Sequence, residues 1–403
     1  MRGISDITFW FILAFLLLLD LTVILGFRKL FPGKKRYPLL GYSLSFGVLY
    51  ILFIVYYKLK DPRSVSDFRP YFYINALLFT FLLPKVIFSL SSLLGLGLKL
   101  FRLLKKDNLL FVRIGFILSS ICFMAISLGM LFGKTDVRIH KVEIPIDNLP
   151  KSFENFCIVQ ISDFHAGTPS LAPFGNSFHL DKINNYHPDI VVFTGDMINN
   201  FAHETPPWFE YFKSIRASYG KYSILGNHDY GDYSKWSSAK EKKANLDRLM
   251  QDEQNMGFSV LRNESVAIKK GKDSIALVGV ENWGNPPFPR YGNLNKALTR
   301  TQNIAVKILL THDPNHWNKE VREKTNIQLT LSGHTHGMQF GVELDGFLFS
   351  PASILSKEWG GLYKMNNQYL YVNTGLGALG FPGRIDMPAE LTVLILKSKS
   401  HKN

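Results

Sequence analysis

The chain has 403 residues, of which 46% are hydrophobic, 14% aromatic and 19% charged, and this length allows two units with separate cores. Its formal net charge of +14 is unevenly distributed. Residues 1–134 hold 17 Lys and Arg against 5 Asp and Glu, a net of +12, whereas the remainder carries only +2. A nearly neutral C-terminal part argues against the basic surface that nucleic-acid binding requires, so no nucleic-acid partner is expected.

Four long apolar segments occupy the first third of the chain, at Ile7–Phe27, Tyr37–Tyr57, Tyr71–Leu98 and Asn108–Phe132. A helix needs roughly 20 residues to cross the hydrocarbon core of a bilayer, and each segment has that length. A cleaved signal peptide is disfavoured, because the first segment is long and no small-residue cleavage site follows it. Residues 1–134 are therefore predicted to form the four-helix transmembrane region of a multi-pass integral membrane protein.

Basic residues in the connecting loops predict which side of the membrane the rest of the chain occupies. The first and third loops are the strongly basic ones, and they carry Arg28, Lys29, Lys34, Lys35 and Arg36, and Lys99, Arg102, Lys105 and Lys106, respectively. Basic loops stay on the cytoplasmic side, so four crossings place the C-terminal part on the extracytoplasmic side. The second loop mixes basic residues with Asp61 and Asp67, which makes the contrast between the loops moderate.

Three charged residues, Asp20, Lys85 and Arg113, lie within or near the apolar segments. Charges inside a membrane are candidates for a functional role. Lys85 follows Pro84, where a helix can kink, and Arg113 is close enough to a segment end for its side chain to reach the interface. A packing or anchoring role is favoured over a transport path for these residues.

After Thr135 the pattern changes to short apolar runs bounded by polar residues, which is typical of buried strands. The predicted strands are Phe156–Ser162, Ile190–Thr194, Tyr222–Leu225, Ser274–Val280, Ala305–Leu310, Ile327–Leu331, Tyr369–Asn373 and Leu391–Leu396. Helices are predicted at Asp181–Tyr186, Pro207–Arg216 and Ser234–Gln251. This alternation predicts an α/β domain with stacked sheets over residues 135–403.

Metal-binding residue types follow five of these strands directly. The polar clusters are Asp163-Phe164-His165, Gly195-Asp196, Gly226-Asn227-His228-Asp229, Thr311-His312 and Gly333-His334-Thr335-His336. Sites in open α/β sheets form at the carboxyl ends of strands, so we expect the five clusters to meet at one edge. Each short motif is weak evidence alone, and only their joint occurrence at five strand ends predicts a site.

The residue types suit the hydrolysis of a phosphate ester. Two divalent ions about 3.5–4 Å apart can generate a hydroxide and compensate charge on the phosphoryl oxygens. Imidazole and carboxylate ligands favour Mn, Zn or Fe, and Mg or Co are compatible with the same set. A carboxylate can bridge two ions, and Asp196 is the candidate for that position.

The order D-x-H, G-D, G-N-H-D, H, G-H-x-H resembles the calcineurin-like metallophosphoesterase family over Phe156 to Leu396. The ending Tyr371–Gly377, followed by Phe381-Pro382-Gly383-Arg384, is similar to the membrane-associated bacterial branch of that family. The resemblance implies a four-layer α/β/β/α sandwich with a dinuclear metal centre, here preceded by an all-α transmembrane bundle.

The resemblance also implies a role for each site residue. The first metal would be held by Asp163, His165 and His336, the second by Asn227, His312 and His334, and both by Asp196. His228 would stand near the leaving oxygen as a transition-state stabiliser or general acid. Asp229 could orient the His228 ring. Phe164 replaces the leucine common in the first motif, a change that leaves the ligands intact.

Two other features have more than one interpretation. Gly375–Gly380 matches G-x-G-x-x-G, but Pro382 would break the helix that a dinucleotide site needs, so a glycine turn that brings Arg384 near the site is preferred. Arg384 is then either a phosphate contact or part of a structural ion pair. The loops Trp283–Pro289 and Phe347–Trp359 are apolar; packing on the domain is slightly favoured over contact with lipid.

The sequence therefore predicts a membrane-anchored, metal-dependent phosphoric-ester hydrolase, with an activated hydroxide that attacks a phosphomonoester or phosphodiester in line. Its position beside the lipid bilayer makes a phospholipid or another membrane-derived ester a reasonable substrate. The alternatives are a metal-containing membrane receptor or scaffold without catalysis, which the complete ligand set disfavours, and a transporter whose membrane third moves a solute.

Overall fold

The computed structural model describes residues 6–33, 37–59, 64–101, 109–133, 136–168, 181–284, 286, 289–344 and 347–399. They belong to two compact units, one built from residues 1–62 and 70–130 and the other from residues 63–69 and 131–403. The loop residues 34–36, 60–63 and 102–107 lie outside the described residues. The predicted orientation in the membrane depends largely on the charges of these loops. The predicted domain boundary after Lys134 stays a prediction.

The N-terminal unit consists of long apolar helices. They are α1 (Asp6–Leu30), α2 (Tyr37–Leu59), α3 (Val65–Leu100) and α4 (Leu110–Phe132). All four are long and apolar enough to cross a membrane, as the sequence predicted. Large apolar side chains such as Phe11, Leu44 and Ile117 are exposed on the surface of this unit, which is the arrangement that lipid as a solvent favours.

A buried ion pair links three of these helices. Lys85 Nζ on α3 lies 2.5 Å from Asp20 Oδ1 on α1 and 3.3 Å from the Ser43 carbonyl oxygen on α2. The same ammonium lies 4.4 Å from the centroid of the Phe46 ring. Arg113, in contrast, is exposed on α4. Because the charge of Lys85 is compensated within the unit, these contacts favour the packing role for the pair.

Removing one partner of this pair should destabilise the N-terminal unit. Lys85→Met leaves the Asp20 carboxylate uncompensated among apolar side chains, and we expect a loss of about 3 kcal/mol in the free energy of unfolding. The double variant Asp20→Leu/Lys85→Met removes both charges and should recover most of that loss. Unfolding in detergent micelles measures both values, and a double variant no more stable than Lys85→Met would contradict the pairing.

The C-terminal unit is built from short strands and helices. Its strands are β1 (Val137–Ile146), β2 (Cys157–Ile161), β3 (Ile190–Phe193), β4 (Lys221–Ser223), β5 (Phe258–Val260), β6 (Glu264–Lys270), β7 (Asp273–Gly279), β8 (Lys307–Leu310), β9 (Leu329–Ser332), β10 (Val342–Leu344), β11 (Phe347–Phe349), β12 (Gly361–Met365), β13 (Gln368–Val372) and β14 (Ala389–Ser398). Its helices are α5 (Asp181–Asn184), α6 (Phe209–Lys213), α7 (Ala239–Asn255), α8 (Leu294–Leu298) and α9 (Ala352–Leu355).

Two six-stranded sheets organise this unit. The first has the order β1-β14-β2-β3-β4-β5, and the second has the order β12-β13-β9-β8-β7-β6. Strands β2 to β5 run parallel in the first sheet, and β7, β8, β9 and β13 run parallel in the second. Strands β10 and β11 form a separate antiparallel hairpin.

Side-chain alternation along the central strands produces four layers. Ile158 and Val192 point into a core between the sheets, together with Ile308 of the second sheet. Their neighbours Val159 and Val191 point to the opposite face, where α6 and α7 pack. The outer face of the second sheet is covered by α8 and by a helical turn at Trp317–Val321. This arrangement confirms the predicted sandwich of two sheets with helices on both outer faces.

The sequence did not predict the edge strands, the hairpin of β10 and β11, or the short helices α8 and α9. β1 pairs with β14 at the edge of the first sheet; it carries exposed side chains such as Arg138, Lys141 and Glu143, and only Ile144 and Ile146 are buried. Strands β5, β6, β11 and β12 likewise lie at a sheet or hairpin edge. A partly exposed strand has no continuous apolar run, so the pattern used for buried strands misses it.

Candidate metal centre

Five parallel strands bring the predicted site residues to one edge of the sandwich. Asp163 and His165 follow β2, Asp196 follows β3, and Asn227 follows β4 by way of a short loop. Backbone hydrogen bonds join these segments, since Asp163 N donates to Gly195 O and His165 N donates to Asp196 O. The second sheet contributes His312 after β8, and His334 and His336 after β9, with Gly333 N donating to His312 O.

The backbone at this edge is held in an unusual conformation. Five of the seven candidate ligands have positive φ angles: Asp163 (51°), His165 (48°), Asp196 (60°), His334 (78°) and His336 (52°). Left-handed backbone is uncommon for non-glycine residues and costs free energy. The strained residues are the ones whose side chains face one another, which marks this edge as a candidate functional site.

One glycine is required by the close approach of two loops. A Cβ atom on Gly226 would collide with the Asp196 carboxylate, and it would lie 2.6 Å from the Asp196 backbone nitrogen. No side chain larger than hydrogen fits between these segments. The G-N-H-D motif therefore begins with glycine for steric reasons.

The first cluster contains the residues predicted for the first metal. His165 Nε2 lies 3.0 Å from His336 Nε2, and His336 Nε2 lies 3.3 Å from Asp163 Oδ1. All three side chains are buried, and their ligand atoms lie within 4.8 Å of one another.

The second cluster contains the residues predicted for the second metal. Asn227 Oδ1 lies 3.0 Å from His312 Nε2 and 2.9 Å from His334 Nδ1. The two imidazole nitrogens are 3.2 Å apart. His312 Nδ1 lies 2.8 Å from the Thr194 carbonyl oxygen; a proton on Nδ1 then leaves the Nε2 lone pair facing the cluster.

Asp196 lies between the two clusters. Its Oδ2 is 3.7 Å from His165 Nε2 in the first cluster and 3.2 Å from His312 Nε2 in the second. Its Oδ1 accepts a hydrogen bond of 2.9 Å from the backbone N–H of His228, which fixes the carboxylate plane. This is the position that a bridging carboxylate would occupy.

Burial and charge set the protonation of the imidazoles. Burial lowers the pKa of His165 to about 3 and holds the pKa of His336 well below its usual range. Burial also acts to lower the pKa of His312, but the adjacent Asp196 carboxylate outweighs it and raises that pKa to about 10. Burial raises the pKa of Asp163 to about 6. Neutral His165 and His336 have free lone pairs at neutral pH.

The donor set fits two divalent cations. The Nε2 atoms of two imidazoles lie 3.0 Å apart in the first cluster, and three donor atoms lie within 3.2 Å of one another in the second. Such atoms repel one another unless a proton or a cation lies between them. Two carboxylates, four imidazoles and one amide oxygen are the ligands that borderline and hard ions accept.

His228 borders the clusters without belonging to either group of candidate ligands. Its ring centroid lies 5.0 Å from that of His165, at an interplanar angle of 86°. Its Nδ1 lies 2.8 Å from the Asn199 carbonyl oxygen, so Nδ1 carries the proton in the neutral ring. Nε2 is then the nitrogen left to interact with a ligand of the site.

Tyr233 supports the site and was not predicted from the sequence. Its ring stacks on that of His228 with centroids 4.4 Å apart, and its hydroxyl accepts a 2.8 Å hydrogen bond from Asn227 Nδ2. This bond turns Asn227 Oδ1 toward His312 and His334. The only available signal was an aromatic residue six positions after Asn227, which is too common to be informative.

The contacts of Asp229 correct the role expected for it. Its carboxylate accepts hydrogen bonds from the backbone N–H groups of Asp196, Gly226 and Ile198, and the His228 ring is oriented by a carbonyl group instead. Burial, followed by the charge of Asp196, raises the pKa of Asp229 well above its usual range. Asp229 therefore holds the loops that carry the candidate ligands, and the His228 ring is held by the Asn199 carbonyl oxygen instead.

Arg384 is buried and does not present its guanidinium to the site. Its nitrogens donate to five carbonyl oxygens, those of Thr374, Gly375, Gly377, Met387 and Pro388. These bonds use all five N–H groups of the side chain. Of the two roles considered for Arg384, these contacts favour the structural one over the phosphate contact. Its partners are carbonyl oxygens, however, and not the carboxylate of an ion pair.

The glycine turn that Arg384 braces lies directly on the first ligand segment. Leu376 N donates to Ser162 O and Gly377 N donates to Asp163 O. Arg384 thus stabilises the glycine turn, and the turn in turn holds the backbone of Asp163.

Two regions of the chain match known protein families. Over residues 157–338 the chain matches the family described as "Calcineurin-like phosphoesterase", and over residues 2–134 it matches "Probable Calcineurin-like phosphoesterase, transmembrane domain". Similar curated proteins include "Transmembrane protein with metallophosphoesterase domain" of Danio rerio, which is 28% identical over 67% of this chain. The chain spans only 59% of the length of that relative.

Two bacterial relatives are covered more completely. "Uncharacterized metallophosphoesterase YkuE" of Bacillus subtilis (strain 168) is 32% identical over 62% of this chain and 82% of its own length. "UDP-2,3-diacylglucosamine pyrophosphatase LpxG" of Chlamydia trachomatis (serovar D) is 27% identical over 57% of this chain and 81% of its own length.

Replacement of the bridging candidate should affect both clusters. We expect Asp196→Asn to lower the metal content of the purified full-length protein from about two ions to less than one, because both sites lose a charged ligand. The matched control is Asp247→Asn, which removes an exposed carboxylate on α7. Elemental analysis after dialysis measures the content, and two ions retained in Asp196→Asn would contradict the assignment.

Protonation of the metal-free site gives a pH test. The pKa of His312 is raised to about 10, so its ring should stay charged at pH 8, whereas the pKa of His165 is lowered to about 3 and its ring should stay neutral at pH 5. Nitrogen NMR of the metal-free protein with labelled histidines distinguishes the two states. Loss of the His312 proton near pH 6.5 would show that Asp196 does not face it.

Proposed function

Since the chain belongs to the calcineurin-like phosphoesterase family, whose members are phosphate-ester hydrolases, we propose that it hydrolyses a phosphate ester at the membrane surface with two divalent ions. The observation that carries the proposal is the convergence of seven ligand atoms from five strand ends into two adjoining clusters. When bound, two such ions supply Lewis acidity and activate water for attack on phosphorus.

The residues of the chain would divide the remaining work among themselves. Asp163, His165 and His336 would hold one ion, and Asn227, His312 and His334 the other. Asp196 would be shared, because its Oδ2 faces both clusters. The hydrogen bond from Asn227 Nδ2 to the Tyr233 hydroxyl keeps the amide oxygen, and not the nitrogen, directed at its cluster.

His228 would act on the leaving group. Its Nδ1 is engaged by the Asn199 carbonyl oxygen, so protonation of Nε2 creates a donor that faces the site. An imidazolium there can stabilise charge on a phosphoryl oxygen or give its proton to the leaving oxygen. The stacked Tyr233 ring limits rotation of the imidazole and keeps this nitrogen in place.

The membrane helices and one relative support an ester that resides in the bilayer. Four helices long enough to span a membrane keep the site near lipid, and the Chlamydia relative is named as a pyrophosphatase of a diacylated sugar nucleotide. We therefore propose a lipid-derived phosphodiester or phosphomonoester as substrate. The basic first and third loops further support an extracytoplasmic catalytic unit.

A non-catalytic receptor or scaffold remains the alternative from another class. In such a protein we would expect at least one metal ligand to be replaced by another residue or to point away from the site. All seven candidate ligands face the two clusters, so no feature of the described residues favours this alternative.

Loss of the His228 imidazole should reduce turnover without loss of metal. For His228→Ala we expect kcat on an aryl phosphodiester to fall by about 10²–10³-fold, because the donor to the leaving group is removed. The assay uses full-length protein in detergent, supplied with Mn²⁺, and elemental analysis confirms an unchanged metal content. His187→Ala is a control at an exposed histidine of the same domain.

Wild-type protein that turns over neither an aryl phosphodiester nor a phosphorylated lipid would contradict the proposed function. Unchanged kcat in His228→Ala would contradict only the role of that side chain.

A further inference from the structure

Exposed apolar side chains are concentrated in one segment of the C-terminal unit. Among the described residues from 136 to 399, the large hydrophobic residues that are exposed all lie between positions 338 and 362: Met338 (49%), Val342 (40%), Phe349 (45%), Ile354 (78%), Leu355 (79%) and Leu362 (42%). We refer to these six side chains as the 338–362 patch. The other large apolar residues described in this unit are buried or partly buried, so this concentration of exposed ones marks an interaction surface.

The local fold connects four of the six side chains of the patch. Val342 on β10 lies directly opposite Phe349 on β11, so the two side chains stand on the same face of the hairpin. Ile354 and Leu355 follow in the short helix α9, whose first turn is fixed by a hydrogen bond from Ser353 N to Ser350 O. Ile354 and Leu355 are the most exposed members of the patch.

The patch is attached to the backbone of the candidate metal centre. Ser350 Oγ donates a 2.6 Å hydrogen bond to the carbonyl oxygen of Gly337, the residue after His336. Thr335 Oγ1, between His334 and His336, donates a 2.5 Å hydrogen bond to the Trp359 carbonyl oxygen. Whatever covers the patch is therefore brought close to the candidate ligands.

We propose that the 338–362 patch inserts into the surface of the lipid bilayer in which the N-terminal helices lie. Only four residues separate the end of α4 at Phe132 from the start of β1 at Val137, so the C-terminal unit cannot leave the vicinity of that bilayer. Between Met338 and Leu362 the sequence has one basic residue, Lys357, and three acidic ones, so it lacks the positive charge needed to bind an acidic macromolecule. Apolar side chains at an interface are stabilised by burial among acyl chains.

Insertion of the patch defines the substrate class more narrowly. The metal centre would open toward the headgroup layer, and an ester embedded in the bilayer would reach it without leaving the membrane. This consequence rests on the proposed function, whereas insertion itself does not. The slight preference for packing of the Phe347–Trp359 loop does not hold for Phe349, Ile354 and Leu355, which are exposed.

Photo-crosslinking of the full-length protein tests insertion directly. A diazirine-bearing residue is placed at Ile354, and in a second protein at Lys272, which is exposed in the turn between β6 and β7. Both proteins are reconstituted in nanodiscs of phosphatidylcholine and phosphatidylglycerol. We expect lipid adducts at 354 in at least about tenfold excess over 272, because only the first site would lie among acyl chains.

Other outcomes of the crosslinking overturn the proposal. Equal lipid adduct yields at the two sites would show that the patch does not reach the bilayer. Adducts from 354 to a second copy of the chain, or to the N-terminal helices of the same chain, would show that protein covers the patch instead.

A paired activity measurement separates this proposal from the proposed function. For Ile354→Ser/Leu355→Ser we expect kcat/KM to fall about tenfold or more on a phosphodiester lipid in vesicles and to stay unchanged on a soluble aryl phosphodiester. The matched control is Lys272→Ser. Both substituted side chains are over three-quarters exposed, so the melting temperature should not change. Equal effects on the two esters, or none, would overturn the role of the patch.

If wild-type protein hydrolyses neither ester, the proposed function fails, and the crosslinking result still decides whether the patch inserts.

Discussion

The structure of the C-terminal unit depends on one electrostatic constraint. Seven electron-pair donors, six of them buried and His334 partly buried, face one another at the carboxyl edges of two sheets, with separations between 2.9 and 3.7 Å. Such an arrangement is unfavourable unless a proton or a cation lies between the donors. The shifted pKa values reflect the same crowding: burial lowers the pKa of His165 and raises that of Asp163, whereas attraction to the Asp196 carboxylate raises the pKa of His312. Two divalent cations would relieve it, which links the fold to the proposed chemistry.

Much of the surrounding structure serves to maintain this arrangement. Asp229 and Arg384 hold backbone groups on either side of the clusters, Asp229 by accepting N–H bonds and Arg384 by donating to carbonyl oxygens. Glu204 does the same for the loop after β3, where it accepts hydrogen bonds from the N–H groups of Gly167, Asn199 and Phe201. The hydrogen bonds of these three buried side chains fix the left-handed backbone of residues such as Asp163 and Asp196, which packing alone would not favour.

The sequence predicted those elements whose burial requires a continuous run of apolar residues. Membrane helices need long apolar runs, and buried parallel strands need short ones, so both kinds of element were predicted and the fold class was confirmed. The candidate ligands follow those strands in the chain, and the structure brings all seven together. The half-exposed edge strand β1 has no such run and was missed. The direction of a side chain within a loop leaves no local pattern either, which explains why the contacts of Asp229, Arg384 and Tyr233 were not foreseen.

The central claim is that these seven side chains hold a pair of cations. X-ray absorption of the zinc-loaded full-length protein measures this most directly, since it reports both ligand type and metal–metal distance. We expect a shell of nitrogen and oxygen ligands without sulfur, and a second metal at about 3.5–4 Å. A single isolated zinc, or a spectrum with no metal–metal shell, would contradict the account.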